Sequence, residues 1–285
     1  MDPGLINDLC GMKRCEPFHT QLYALAGDNV WAEPVLWLSS VFIGIVACTL
    51  IYRGMKASSP RIFPAYLKLS QAEKIEWDNR GISTFHAIIV SAVAWYLIFY
   101  SGFFQHEDSK SSVVFRSSIF SQMILGVSIG YFLSDLAMII WFYPALGGIE
   151  YVLHHFLSMT SLALSIYSGQ AHLYLYLVLF SEITTPFVNL RWYLSLSGMK
   201  NSRLYLYNGL MLFFSWLFAR VLLFVYLFSH IYLHYEQVKE IFPAGFYYLF
   251  IAPPALALMN VLWFYKILKG LIRTIHKTGS HHKED

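Results

Sequence analysis

His154 and His155 stand side by side in EYVLHHFLSMTS, residues 150–161, where nearly every other group is apolar. Consecutive helical residues point about 100° apart, so the two imidazoles cannot both serve one packing contact. A neutral imidazole takes a proton near pH 7, attacks an acyl carbon, or binds a metal. Other apolar stretches carry His86, Asp135, Glu182 and Arg220, with Asn189, Arg191 and Asn260 as further polar members. An ionisable group at a bilayer centre costs roughly 2.5–3.5 kcal/mol on insertion scales, so such groups persist where they face a bundle interior and find partners.

The metal option fails on count and side. Membrane di-iron desaturases and hydroxylases need many histidines in HxxxH and HxxHH spacings on one face. This chain has one such box, His230 and His234, at the opposite end of the bundle from the histidine pair. Cys10, Cys15 and Cys48 have no metal spacing either, and Cys10 and Cys15 fit a disulfide or two free thiols equally well. A seven-helix receptor is disfavoured by the absence of a DRY-like third-span end, of NPxxY and of a mid-span lysine in the seventh span. No metal and no bound cofactor is expected.

The elements that hold these groups are membrane spans. Of 285 residues 57% are hydrophobic, 18% aromatic and only 13% charged, with a mean hydropathy of +0.50. A soluble domain carries about 25% charged residues. The net charge of +3 is small and the basic residues flank apolar runs, which gives no nucleic-acid footprint. Seven runs are long enough to span, approximately 34–53, 82–104, 119–141, 151–169, 171–192, 207–233 and 244–268. The fourth and fifth are joined only by SGQA, which predicts a tight hairpin. The first 33 residues hold no continuous apolar signal core, so targeting rests on the first span.

Thirteen Lys and Arg gather on one side, in the 54–81 loop with its flanks, the 193–206 loop and the tail, against five on the other. The basic side is expected to be cytosolic, which places the N-terminus in the lumen and the C-terminus in the cytosol. On that topology six segments deliver polar residues toward the cytosolic leaflet, and a pocket opening there is the economical reading. Helical phase agrees: Glu182, Thr185 and Asn189 share one face, as do Ser128, Tyr131 and Asp135. Pro186 cannot donate to the Glu182 carbonyl, which is expected to stay free for water or ligand. Bland roles stand beside these. Arg220 suits a counter-ion for Asp135 or Glu182, His86 a packing hydrogen bond, Thr184 and Thr185 a bond back to helix carbonyls, and His172 an interfacial position. Pro60 and Pro64 should break any helix, Ser70 and Glu73 have capping-box spacing, and Trp77 suits the interface. Lys266, Lys269, Arg273 and Lys277 share a face that would snorkel at the membrane surface.

KIEWDNRGISTFHA, YFLSDL, YVLHHFLSM and SEITTPFVNLRWYL, in that order and spacing, resemble the TLC family, the membrane domain of ceramide synthases, TRAM proteins and several lipid-homeostasis proteins. The likeness covers residues 68–277, leaving 1–67 for an N-terminal segment, first span and part of the first loop, and 278–285 for a polar tail. It implies an endomembrane protein, of the endoplasmic reticulum, that moves an acyl group from acyl-CoA to a lipid. Ceramide synthases follow their HH pair with two acids spaced DxxD; here the helix carries Glu182 and, three residues on, Thr185. TPFVNLRW is closer to the TLC domain-containing subgroup tied to membrane lipid homeostasis.

The resulting expectation is an all-α polytopic protein of seven transmembrane helices, at least the last six around a polar pocket. His154 or His155 would be base or acyl acceptor, and Asp135 or Glu182 would orient it. Asn189 and Arg191 would hold a carbonyl oxygen or a phosphate at the mouth, with His86, Arg220 and Thr185 as further substrate contacts. Partners would be membrane lipids and acyl-CoA as co-substrate; a homodimer stays open. The alternatives are a non-catalytic lipid-binding or sensing protein, or a trafficking factor of the endoplasmic reticulum, with a transporter behind them.

Overall fold

The computed structural model describes residues 32–104 and 112–281 of the chain. Cys10, Cys15 and the first part of the N-terminal segment lie outside the described residues, as do Lys110 and residues 282–285. Among the described residues every regular element is helical. Six helical stretches among the described residues are long and apolar enough to cross a membrane: Pro34–Ile62, Gln71–Tyr100, Ile119–Trp141, His172–Leu196, Arg203–Leu233 and Pro243–Ile275. The remaining expected span, Ile149–Ser168, is long enough at 20 residues but carries Glu150, both histidines and four serines. Its polarity, not its length, sets it apart, and that polarity faces inward.

Helix α1 (Ala32–Ile62) runs nine residues beyond its apolar core. Pro60 does not break it, because a proline in the last turn removes one hydrogen bond where the helix is about to end. Phe63 is extended ahead of Pro64, which stops the helix and opens a single turn, Pro64–Leu67. Helix α2 (Gln71–Trp95) starts at the expected capping box: Glu73 N–H donates to Ser70 Oγ at 3.3 Å, and Ser70 N–H to Glu73 Oε2 at 2.8 Å. It ends in a π-helical turn, Tyr96–Tyr100. Helix α3 (Ile119–Trp141) begins at a reciprocal Ser118–Ser121 cap.

Helices α1 and α3 meet through small residues four apart, Ser40, Gly44 and Cys48 against Gly126, Gly130 and Ser134. A methyl on Gly126 would stand 2.9 Å from Ser40 Cβ, and one on Gly130 would stand 2.9 Å from Gly44 Cα. Lipid offers no hydrophobic drive for helix pairing, so close backbone approach has to supply the contact.

Helix α4 (Ile149–Ser168) closes on Gly169 at φ 67°, and Ala171, also left-handed at φ 61°, anchors the hairpin by donating to Val114 O at 2.7 Å. Helix α5 (His172–Phe180) then tightens into a 3-10 turn, Ser181–Thr184, and continues as α6 (Thr185–Leu196). This turn overturns the reading of Pro186: the Glu182 carbonyl accepts from Thr185 N–H, so it is not free. Helix α7 (Arg203–Trp216) passes through a π-helical segment, Leu217–Leu222, into α8 (Leu223–Leu233). Helices α9 (Pro243–Leu249) and α10 (Ala252–His281) complete the chain's last crossing.

Two residues placed at the interface by their types are core residues. Trp77 is 2% exposed, donates to Ser59 Oγ at 3.1 Å and packs on Phe63, Tyr66 and Tyr193. His172 is 0% exposed and meets Ser121 Oγ at 2.9 Å. Both lie near span ends, where the short Pro64–Leu67 turn and the Ser118 cap fold over them.

Candidate functional site

Helices α2, α3, α4, α6, α7 and α10 enclose a cavity of about 410 Å³ at the end of the bundle that carries the basic loops; α1 does not line it. The adjacent histidines diverge as their helical phase requires. His155 turns to α3, its ring 5.6 Å from Phe132, and His154 turns to α10, its ring 5.6 Å from Trp263.

His155 is fully engaged. Its Nδ1 lies 2.8 Å from Tyr151 O, a group that only accepts, so Nδ1 carries hydrogen. Its Nε2 lies 2.6 Å from Asp135 Oδ2. Wherever the shared proton sits, no lone pair of His155 remains for a ligand. Asp135 is fixed in turn by Asn79, whose amide donates to Oδ1 at 2.7 Å. His154 differs. Among the described residues it makes no hydrogen bond, its Nδ1 is buried without a partner, and it lines the cavity.

Arg220 and Glu182 form a second buried group. Arg220 Nη2 donates to Glu182 Oε1 at 3.1 Å, Nε to Thr184 Oγ1 at 2.7 Å and Nη1 to Asn260 Oδ1 at 3.3 Å, with Cζ 4.7 Å from the Trp216 ring. Thr185 donates to Glu182 Oε2 at 2.7 Å. Arg220 therefore pairs with Glu182 and not with Asp135. The Glu182 carboxylate is occupied on both oxygens, so it does not orient a histidine; Asp135 does.

The remaining candidates separate. Asn189 lines the cavity but clasps α6 to α2: its Nδ2 donates to Ser83 Oγ at 2.9 Å and Thr84 Oγ1 at 2.8 Å, and its Oδ1 accepts from Arg80 at 2.8 Å. Arg191 lines the mouth, its Cζ 4.2 Å over the Tyr205 ring. His86 stands off the cavity, stacked on Tyr131 at 3.8 Å with Nε2 on Ser128 Oγ at 3.2 Å, the packing role and not a substrate contact. His230 and His234 stack on each other at 3.9 Å near the far end. Among the described residues no three His, Cys, Asp or Glu side chains converge as metal ligands.

Asn79, Trp263 and Lys266 were not singled out as site residues by sequence, yet all three line the cavity. Asn79, Ser83 and His86 follow one helical face, a signal that becomes visible once α2 is started at its own cap instead of at residue 82. A narrower apolar cavity of about 70 Å³ shares His154, Phe132, Glu182 and Arg220 with the polar one and runs between Leu162, Leu227 and Leu249 toward Phe242. His154 thus stands where a polar chamber meets an apolar one.

A multi-pass helical membrane protein with a buried histidine–carboxylate pair is what this fold and site define. The sequence matches the TLC domain over residues 76–269, and the chain belongs to the TLC domain family. It is 27% identical over 255 residues to TLC domain-containing protein 4-B of Xenopus laevis, covering 84% of this chain and 93% of that one. It is also 27% identical to TLC domain-containing protein 4 of Homo sapiens, over 76% and 82% of the two chains. TLC domain-containing protein 4 A of Dictyostelium discoideum is again 27% identical, over 74% and 80%.

Proposed function

We propose that this protein is an endomembrane acyltransferase of lipid metabolism, with its N-terminus in the lumen of the endoplasmic reticulum and the mouth of its cavity open to the cytosol, where acyl-CoA is found. The observation that carries the reading is the division between the two histidines: His155 is held at both ring nitrogens, while His154 faces both chambers with no partner. His154, with its ring nitrogens free of protein partners among the described residues, is the imidazole of the pair that can serve as base or acyl acceptor. The acyl chain would lie in the apolar chamber and the CoA and acceptor headgroup in the polar one. As acyl acceptor, the His154 lone pair attacks the thioester carbonyl and the C–S bond breaks, releasing CoA thiolate, which takes up the proton that the acylated imidazolium loses from its other ring nitrogen. The acceptor's amine or hydroxyl then displaces the imidazole and gives up its own proton. As base, His154 takes that proton directly while the acceptor attacks the thioester, and passes it to the CoA thiolate as the C–S bond breaks. The Asn79–Asp135–His155 chain fixes the backbone and ring direction at position 155, and so the setting of its neighbour.

Thr185 supports a second reading, a non-catalytic lipid-binding or sensing protein. It stands where the resemblance to ceramide synthases would place a second acid, and it spends its hydroxyl on Glu182. Untargeted lipidomics of a deletion strain separates the two. Wild type should restore the lipid profile and His154→Ala should fail to do so, at wild-type abundance, with a rate loss of roughly 10²–10⁴. Full restoration by His154→Ala would leave binding without chemistry as the function.

A further inference from the structure

We infer that Arg191 and Lys266 form a binding site for a phosphate ester carried by the substrate. The charges lining the cavity make the case. Glu76 is bound by Arg80 at 2.6 Å, Asp135 by His155 at 2.6 Å and Glu182 by Arg220 at 3.1 Å. Each carboxylate thus has its partner, and two cations are left over. Neither Arg191 nor Lys266 has a carboxylate partner among the described residues, although both line the same chamber.

Arg191 is also held ready. Its only hydrogen bond among the described residues runs from Nη2 to Thr274 Oγ1 at a long 3.4 Å, so most of its five N–H donors are unspent. The guanidinium is stacked over Tyr205 at 4.2 Å and occupies a notch made by two glycines, one on each neighbouring helix. A methyl on Gly209 of α7 would stand 2.6 Å from Nη1, and one on Gly270 of α10 would stand 3.9 Å from Nη2. Stacking and notch fix the plane of a fork that suits two oxygens of a phosphate. Lys266, exposed at the mouth one turn before Gly270, adds a point charge with three donors. A phosphate monoester brings about −1.5 to −2 at pH 7, which matches the two uncompensated cations. Asn189, paired with Arg191 by sequence, is spent on α2 and has no part in the site.

The same chemistry is offered by the phosphates of CoA and by the headgroup of a lysophosphatidate. The inference rests on the cavity being a substrate chamber, so the test reads binding and not turnover. Full-length protein in nanodiscs of zwitterionic lipid is titrated with free CoA and, separately, with lysophosphatidate, following tryptophan fluorescence from Trp216 and Trp263 on the cavity wall. Lys266→Gln and Arg191→Gln should each weaken binding roughly tenfold or more, since hydrogen bonds to charged groups are involved. Added salt should weaken wild type in the same direction. Arg191→Lys should fall between, keeping charge without the fork. Loss confined to CoA assigns the phosphate to the co-substrate; loss confined to lysophosphatidate assigns it to a lipid headgroup. Wild-type protein that binds neither probe, or variants that bind both as wild type does, overturns the site.

Discussion

Replacing Asp135 tests whether the histidine–carboxylate group is a structural unit. Asp135→Ala removes the oxygen 2.6 Å from His155 Nε2 and the acceptor of the Asn79 amide at 2.7 Å. All three residues are buried. Removing one partner of a buried pair costs about 3–5 kcal/mol, because the other is left desolvated and unpaired. His155 escapes part of that by shedding a proton while Nδ1–H keeps its bond to Tyr151 O. Asn79 gains no such relief, and an orphaned buried amide costs about 1–3 kcal/mol. The expected loss is therefore near the lower end, about 3 kcal/mol. Asp135→Asn keeps every bond: its oxygen accepts from Asn79, and its amide donates to Nε2 of a neutral His155. It should cost about 1 kcal/mol or less. At about 2–4 °C per kcal/mol, the alanine variant should melt roughly 10 °C below wild type and the asparagine variant within about 4 °C. Heating detergent-solubilised full-length protein and measuring the monodisperse fraction that survives gives both numbers. Equal shifts for the two variants, or an alanine variant within about 2 °C of wild type, would refute the network.

Gly130→Val should drive α1 off α3, since even a methyl there meets Gly44 Cα at 2.9 Å, whereas Gly54→Ala should be neutral because its Cβ would have nothing within 4 Å. Overpacking of this kind costs typically about 1–3 kcal/mol, and the same heating assay reads it. The proposed orientation predicts that a C-terminal tag is reached by antibody when only the plasma membrane is permeabilised, and an N-terminal tag only once the internal membranes are opened. A tail detected only after the second step reverses the orientation, and the CoA route to the cavity with it.

Much of this architecture is legible in the sequence because burying charge in a membrane leaves few choices. The apolar runs locate the spans, the capping box locates the start of α2, and the price of an unpaired charge predicts that Asp135 and Glu182 have partners. Which partner each takes is set by helix crossings that hydropathy does not encode. Arg220 fits either acid on composition, and only the π-helical segment that carries it settles on Glu182. Trp77 and His172 mislead for a shared reason. Each is a residue type common at membrane boundaries, placed at a span end, and only tertiary structure shows that a neighbouring turn or cap claims it.

The histidine doublet illustrates how local geometry gives adjacent residues different surroundings. Two residues one position apart on α4 differ by about 100° in direction, enough to give them different neighbours and little freedom to exchange roles. His155 faces α3, where Asp135 is already held by Asn79, and its other nitrogen is tied to its own helix through Tyr151 O. That double tie fixes the rotation of α4 at this turn. His154, sharing a peptide unit with a residue so fixed, is carried to the wall between the polar and apolar chambers without needing a bond of its own. An imidazole held at one ring nitrogen can still react through the other, but His155 is held at both, so on the proposed reading the free nitrogen has to come from its neighbour. In the doublet His155 is held, and His154 stays open.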